Sequence, residues 1–148
     1  MTHKQTAFVG ALAIILTIAD TAAKLVAIQI LPENGSIPVL GKIVGLQLHK
    51  NEGIVANIAV PMPIIVILTF AILGGLVYWL NLAWKKNERW VVASLLVLIL
   101  GAAGNLVDRI AHGFTTDYII LFGRSVINLA DIMIVLGVVG LLTSPTKK

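Results

Sequence analysis

A chain of 148 residues that is 58% hydrophobic and only 12% charged is not an ordinary soluble domain, in which about a quarter of residues carry charge. It has no cysteine, which excludes disulfides, thiol nucleophiles, thiolate metal sites and a lipid anchor through a cysteine of its own. The net charge is +4, but the eleven Lys and Arg form no basic stripe interleaved with aromatics, which excludes nucleic acid as a partner.

Residues 7–30 form the first apolar run. Met1 to Gln5 is basic, Ala7 to Ile18 is uninterrupted, and Ala19 to Ala23 supplies small residues, so a cleaved signal peptide is the competing reading. Continuation past Asp20 and Lys24 to Ile30 gives about 24 residues, enough at about 1.5 Å each to cross a membrane core of about 30 Å. The run is therefore expected to stay as a transmembrane helix ending at Leu31-Pro32.

Residues 33–58 break the pattern: Asn34-Gly35 signals a turn, Pro38 and Gly41 punctuate, and Lys42 to His49 alternates loosely, as a strand does. A small β-element on the outer surface is expected there. Further spans are expected at 62–83, opened by Pro61 and Pro63, at 90–107, and at 126–143, stopped by Thr143-Ser144-Pro145. Trp79, Trp84 and Trp90 flank the charged loop of Lys85, Lys86, Glu88 and Arg89, which reads as an interfacial belt rather than a set of stacking residues.

The expected fold is an all-α membrane protein of one domain, 1–148, with four transmembrane helices and a small extramembrane β-element on the outer face. Placing Lys4, Lys85, Lys86, Arg89, Lys147 and Lys148 in the cytoplasm satisfies the positive-inside bias and puts both termini there. Lys42, Lys50, Arg109 and Arg124 then lie outside.

With that topology the polar residues gather at the outer leaflet. Asp20 and Lys24 share a helix face, as do Asn105 and Asp108, beside Arg109, and Asn128 and Asp131; Asp117 stands in the connection between the last two helices. Two carboxylates close together at low dielectric share a proton, one serving as base toward water and the other as acid toward a carbonyl oxygen. Asp117 and Asp131 are the candidates for such a pair. Other schemes lack parts: Ser94 and Ser125 have no neighbouring histidine, and His49 and His112 form no metal-ligand spacing. Four Asp could hold a cation, but Arg109 and Lys24 argue against it, and no metal or cofactor is expected.

Residue type alone leaves other readings open. Asp20 with Lys24 and Asp108 with Arg109 could be ion pairs that hold helices, Asn105 and Asn128 interhelical hydrogen-bonding groups, and the whole a structural scaffold. A small transporter or proton-coupled carrier could use the same Asp and Arg groups, but needs a relay or a midplane site.

The runs Gly104-Asn105-Leu106-Val107-Asp108-Arg109, Gly113-Phe114-Thr115-Thr116-Asp117-Tyr118 and Ile127-Asn128-Leu129-Ala130-Asp131 resemble, in order, the G-N-x-x-D-R, G-x-V-x-D-F and F-N-x-A-D motifs of the lipoprotein signal peptidases (signal peptidase II). Asp20 and Lys24 resemble that family's first-helix D-x-x-x-K, and Asn51 with Gly53 its outer N-x-G. The resemblance implies an integral-membrane aspartyl endopeptidase of the bacterial cytoplasmic membrane, working at the outer leaflet. Such an enzyme removes signal peptides from diacylglyceryl-modified prolipoproteins, cutting before the lipidated cysteine. It implies Asp117 and Asp131 as the catalytic pair. Asn51, Gly53, Asn105, Asp108, Arg109, Asn128, Asp20 and Lys24 would bind substrate or support the site. Its partners would be those prolipoproteins and membrane lipid, with a monomer as the working unit. The chain departs from the family pattern at Val55-Ala56, at Tyr118 and Ile127, where Phe is usual, and in a short connection from 118 to 127.

Overall fold

In the computed structural model, residues 1–53 and 60–145 are described. The expected strand character at Ile54 to Ile58, the Val55-Ala56 departure and the basic Lys147 and Lys148 lie outside them. Helix α1 (His3–Ile30) is opened by a reciprocal cap, in which Thr2 Oγ1 accepts from the Gln5 amide and Gln5 Oε1 from the Thr2 amide. Where a small β-element was expected, strands β1 (Ile37–Leu40) and β2 (Val44–Asn51) form a hairpin, and helix α2 (Met62–Lys85) follows Pro61 with Pro63 in its first turn.

Two expected boundaries move. Helix α3 (Arg89–His112) runs five residues beyond 107 before Gly113, at φ 78°, ends it in a left-handed cap that disfavours any side chain. Arg109 and His112 occupy its last turn, where positive groups suit the helix dipole. The stretch taken from the sequence as a plain connection is a hairpin of β3 (Thr115–Leu121) and β4 (Ser125–Ile127), and α4 (Leu129–Leu142) starts only after it. The physical reason lies in Thr115 to Leu121, where β-branched and aromatic residues dominate, and in Phe122 and Gly123, both at positive φ, which turn the chain back.

Among the described residues the fold is helices plus a small four-stranded antiparallel sheet, ordered β1-β2-β3-β4, where an all-α protein with a small β-element was expected. Among the described residues three helices, α1, α2 and α3, are long and apolar enough to cross a membrane. The expected fourth span, 126–143, contains a helix of only 14 residues, about 21 Å long, because the strand β4 takes its start.

Helix α3 packs against the other three helices and carries more buried positions than any of them. Against α2 it buries Val92 and Leu95 on Ala83, with Leu76, Leu80 and Ile99 around them. Against α4 the backbones approach more closely still: a Cβ on Gly137 would stand 2.6 Å from Leu98 Cβ, and one on Gly101 2.8 Å from the Ala130 carbonyl. Small residues permit such contact without lipid in between. Gly137→Ala is accordingly expected to destabilise the protein by about 1–3 kcal/mol, because the partner atoms are backbone or Cβ and cannot swing aside. Unfolding in detergent would measure this, and an unchanged midpoint would mean the two helices separate freely. The outward faces stay apolar and bare, as at Phe8, Ile18, Ile67 and Leu142, as lipid contact requires.

Candidate active site

Strand β3, the N-terminus of α4 and the C-terminal halves of α1 and α3 meet at one end of the helices. Asp117 sits on β3, buried, paired across the sheet with His49 of β2. At the end of β2, Asn51 donates from Nδ2 to Asp117 Oδ2 at 3.1 Å, while its Oδ1 accepts from the Gly53 amide at 3.1 Å. The second bond fixes which end of the amide faces the carboxylate. That is the contribution of Gly53.

Asn128 ties the two carboxylates together. Its Nδ2 donates to Asp117 Oδ1 at 2.6 Å, and its Oδ1 accepts from the Asp131 amide at 2.8 Å. In return Asp131 Oδ2 accepts from the Asn128 amide at 3.2 Å, closing a capping box. A residue that simply starts a helix thus also holds a carboxylate on a neighbouring strand. Asn128 is fully buried.

The other oxygen of Asp131 accepts from Asn105 Nδ2 at 2.8 Å, and Asn105 Oδ1 accepts from Lys24 Nζ at 2.8 Å. Lys24 is buried between two anions, at 2.9 Å from Asp20 Oδ2 and 3.6 Å from Asp108 Oδ2. Asp108 in turn accepts from the Thr116 amide at 2.6 Å, so α3 grips β3 one residue before Asp117. Asp20 Oδ1 accepts from the Tyr118 hydroxyl and from the Leu129 amide, each at 3.0 Å. Each of these side chains bonds or pairs with at least one of the others, while the Thr116 hydroxyl beside them has no partner.

This arrangement shapes the chemistry of Asp117. Burial, followed by the nearby charge of Asp131, pushes its carboxyl from an ordinary 3.8 up to about 7, against the opposing pull of Asn51, Asn128 and Lys24. A group so placed keeps its proton near neutrality beside a second carboxylate. Such a pair can accept a proton from water at one oxygen and deliver one at another.

Nine of the ten residues singled out in the sequence are joined by these bonds: Asp20, Lys24, Asn51, Gly53, Asn105, Asp108, Asp117, Asn128 and Asp131. Arg109 stands apart. It is half-buried within electrostatic reach of Asp131, Asp117 and Asp108, and its Nε is buried without a hydrogen-bond partner. The ion pair expected of Asp108 with Arg109 gives way to Lys24 and His112, because α3 turns consecutive residues to different faces. The pair expected of Asp20 with Lys24 is present. Sequence reasoning missed Thr116, the Tyr118 hydroxyl and the Leu129 amide. Two of these are backbone donors, which no residue pattern displays, whereas a tyrosine directly after Asp117 was a visible signal.

The model of a family described as Signal peptidase (SPase) II matches residues 12–146. Curated relatives carry the name lipoprotein signal peptidase. One from Bacillus velezensis is 29% identical over 133 residues, 86% of either chain. One from Halalkalibacterium halodurans is 31% identical over 132 residues, covering 85% of this chain and 83% of its own. Two solved structures of bacterial membrane enzymes, determined by the in meso method, share the fold. One has a TM-score of 0.79 at 23% identity, covering 100% of this chain and 95% of that one. The other has a TM-score of 0.77 at 22% identity, covering 96% and 92%.

Proposed function

Because the chain belongs to the signal peptidase II family, we propose that it removes signal peptides from lipoprotein precursors as an aspartyl endopeptidase, with Asp117 and Asp131 as its working pair. The observation that carries this reading is Asn128, whose side-chain amide donates to the Asp117 carboxylate and whose backbone amide donates to that of Asp131, in a buried site where Asp117 retains a proton. Asp131 takes a proton from the attacking water while Asp117 gives its proton to the carbonyl oxygen of the scissile bond. Collapse of the tetrahedral intermediate then breaks the C–N bond, the proton gained by Asp131 passing to the departing amine while one hydroxyl of the intermediate returns its proton to Asp117 as the new carboxyl forms.

Arg109, with a donor to spare, is assigned to substrate, together with Asn51. Asn105, Asp108, Asp20, Lys24 and Gly53 support the pair. The chain is read as a multi-pass protein of the bacterial cytoplasmic membrane with four spans, both termini inside and the site at the outer leaflet. The charge distribution of its loops supports that orientation. A carrier would need its polar groups spread through the depth of the membrane, and their collection at one end of the helices favours the peptidase.

The substrate follows from position. A bond cleaved at the edge of the hydrocarbon must be brought to that depth, and acyl chains on the cysteine after it, at about 0.8 kcal/mol per buried CH₂, hold it there. A diacylglyceryl-modified precursor should therefore be cut at least tenfold faster than the same peptide without lipid, in nanodiscs at equal concentration. Equal rates would sink the lipid-held substrate and leave a general membrane peptidase.

A further inference from the structure

The neighbour of Asp117 on β3 performs a task of its own. Residues on a strand point alternately to opposite sides, so while Asp117 faces Asn51 and Asn128, Tyr118 faces α1. There its hydroxyl donates to Asp20 Oδ1 at 3.0 Å, and the same oxygen accepts from the Leu129 amide at 3.0 Å. Tyr118 adjoins Asp117, and Leu129 opens the helix that carries Asp131. One carboxylate oxygen of α1 is thus the common anchor of the two segments that bring the pair together. The other oxygen of Asp20 holds Lys24, which holds Asn105, which holds Asp131.

We propose that Tyr118 is a positioning residue for the peptidase reaction, its hydroxyl latching β3 to Asp20 so that the Asp117 and Asp131 carboxylates stay at working separation. This rests on the aspartyl reading. Lying beside that pair is not what distinguishes it, because several groups do so. Among the described residues Tyr118 is the one side chain whose hydrogen bond joins β3 to α1, and the phenol is well suited to give it. Burial, with the negative charge of Asp20, holds its proton far above neutrality, so it remains a donor across the working range. The ring itself is only half-buried, so packing alone does not demand a hydroxyl at this place.

The latch constrains distance rather than binding. Without it Asp20 Oδ1 keeps the Leu129 amide, α4 stays in place, and β3 loses its tie on that side. Asp117 is then still bonded to Asn51 and Asn128 but is free to drift by a fraction of an ångström relative to Asp131. Displacements of about 1 Å can reduce turnover by up to about 10²-fold. Drift would also admit water and weaken the influence of Asp131, both of which lower the proton affinity of Asp117.

Tyr118→Phe removes the oxygen and keeps the ring. In nanodiscs with the diacylglyceryl-modified precursor, the variant is expected to show kcat lowered about tenfold, KM within about twofold of the parent, and the high-pH limb of the rate profile moved to lower pH. Asp117→Asn is run beside it. Parental kcat and pH profile in Tyr118→Phe, with Asp117→Asn inactive, would overturn the latch while leaving the dyad standing. A raised KM at unchanged kcat would overturn it in favour of a substrate contact, and a lowered melting temperature with unchanged kcat in favour of plain stabilisation. Activity in Asp117→Asn would remove the reading on which the latch rests.

Discussion

Asp117→Asn should lower the turnover of lipidated precursor by at least about 10²–10⁴-fold, and Asp131→Asn by a similar factor, with the protein still inserted and folded. Asparagine matches aspartate in shape, so the packing is kept, while one of the two hydrogen bonds that each carboxylate accepts is lost. What disappears is the exchangeable proton at one site or the base at the other. Because each group has a separate role in one event, the double variant should be scarcely worse than either single one. The parent enzyme carries a matching pH signature. Asp117 holds its proton up to about 7, so the rate should fall as pH rises through that value and the acid is lost. The linkage has the same sign for stability. The folded carboxyl binds its proton more tightly than the unfolded one at 3.8, so its contribution is complete below that value and is lost as pH rises through about 7. Near-parental turnover in either single variant would move the chemistry to Asp20 or Asp108.

Lys24→Met is expected to destabilise the protein by about 3–5 kcal/mol. The ammonium is buried, with side chains 4% and 0% exposed for Lys24 and Asp20, and its removal leaves the buried Asp20 and Asp108 carboxylates without the cation between them. Methionine fills most of the lysine stem, so the loss is electrostatic and not a cavity. Asn105 also loses the partner of its Oδ1, so nothing then fixes its amide toward Asp131. Activity should fall together with stability. Adding Asp20→Asn to Lys24→Met should recover part of the stability, because the most deeply buried unpaired charge is then gone. A change below about 1 kcal/mol in the single variant would show that water, not Lys24, neutralises the two aspartates.

Much of this site is legible in the chain because the membrane imposes a strict rule. A charged or amide side chain beside lipid must have a partner, so the scarce Asp, Asn and Lys of apolar runs point to one another. That logic, with the resemblance of three linked motifs, picked out every side chain of the chain from Lys24 through Asn105 to Asp131. It did not deliver β3 and β4. Thr115 to Leu121 is short and mixed in polarity, and its strand character depends on pairing with β2, whose partner residues lie 64 to 77 positions away in sequence. Nor could it give the backbone donors of Thr116 and Leu129, since every residue but proline offers the same amide. The fourth helix came out shorter than expected for a related reason. Val126 and Ile127 are as apolar as a helix start, and hydropathy does not distinguish a strand edge from a first turn.

The most direct measurement is the mass spectrum of what purified protein in nanodiscs releases from a diacylglyceryl-modified lipoprotein precursor, run in parallel with Asp117→Asn. The account predicts an intact signal peptide ending at the residue before the modified cysteine, from the parent alone. Release of nothing by the parent, or of the same peptide by the variant, would contradict it.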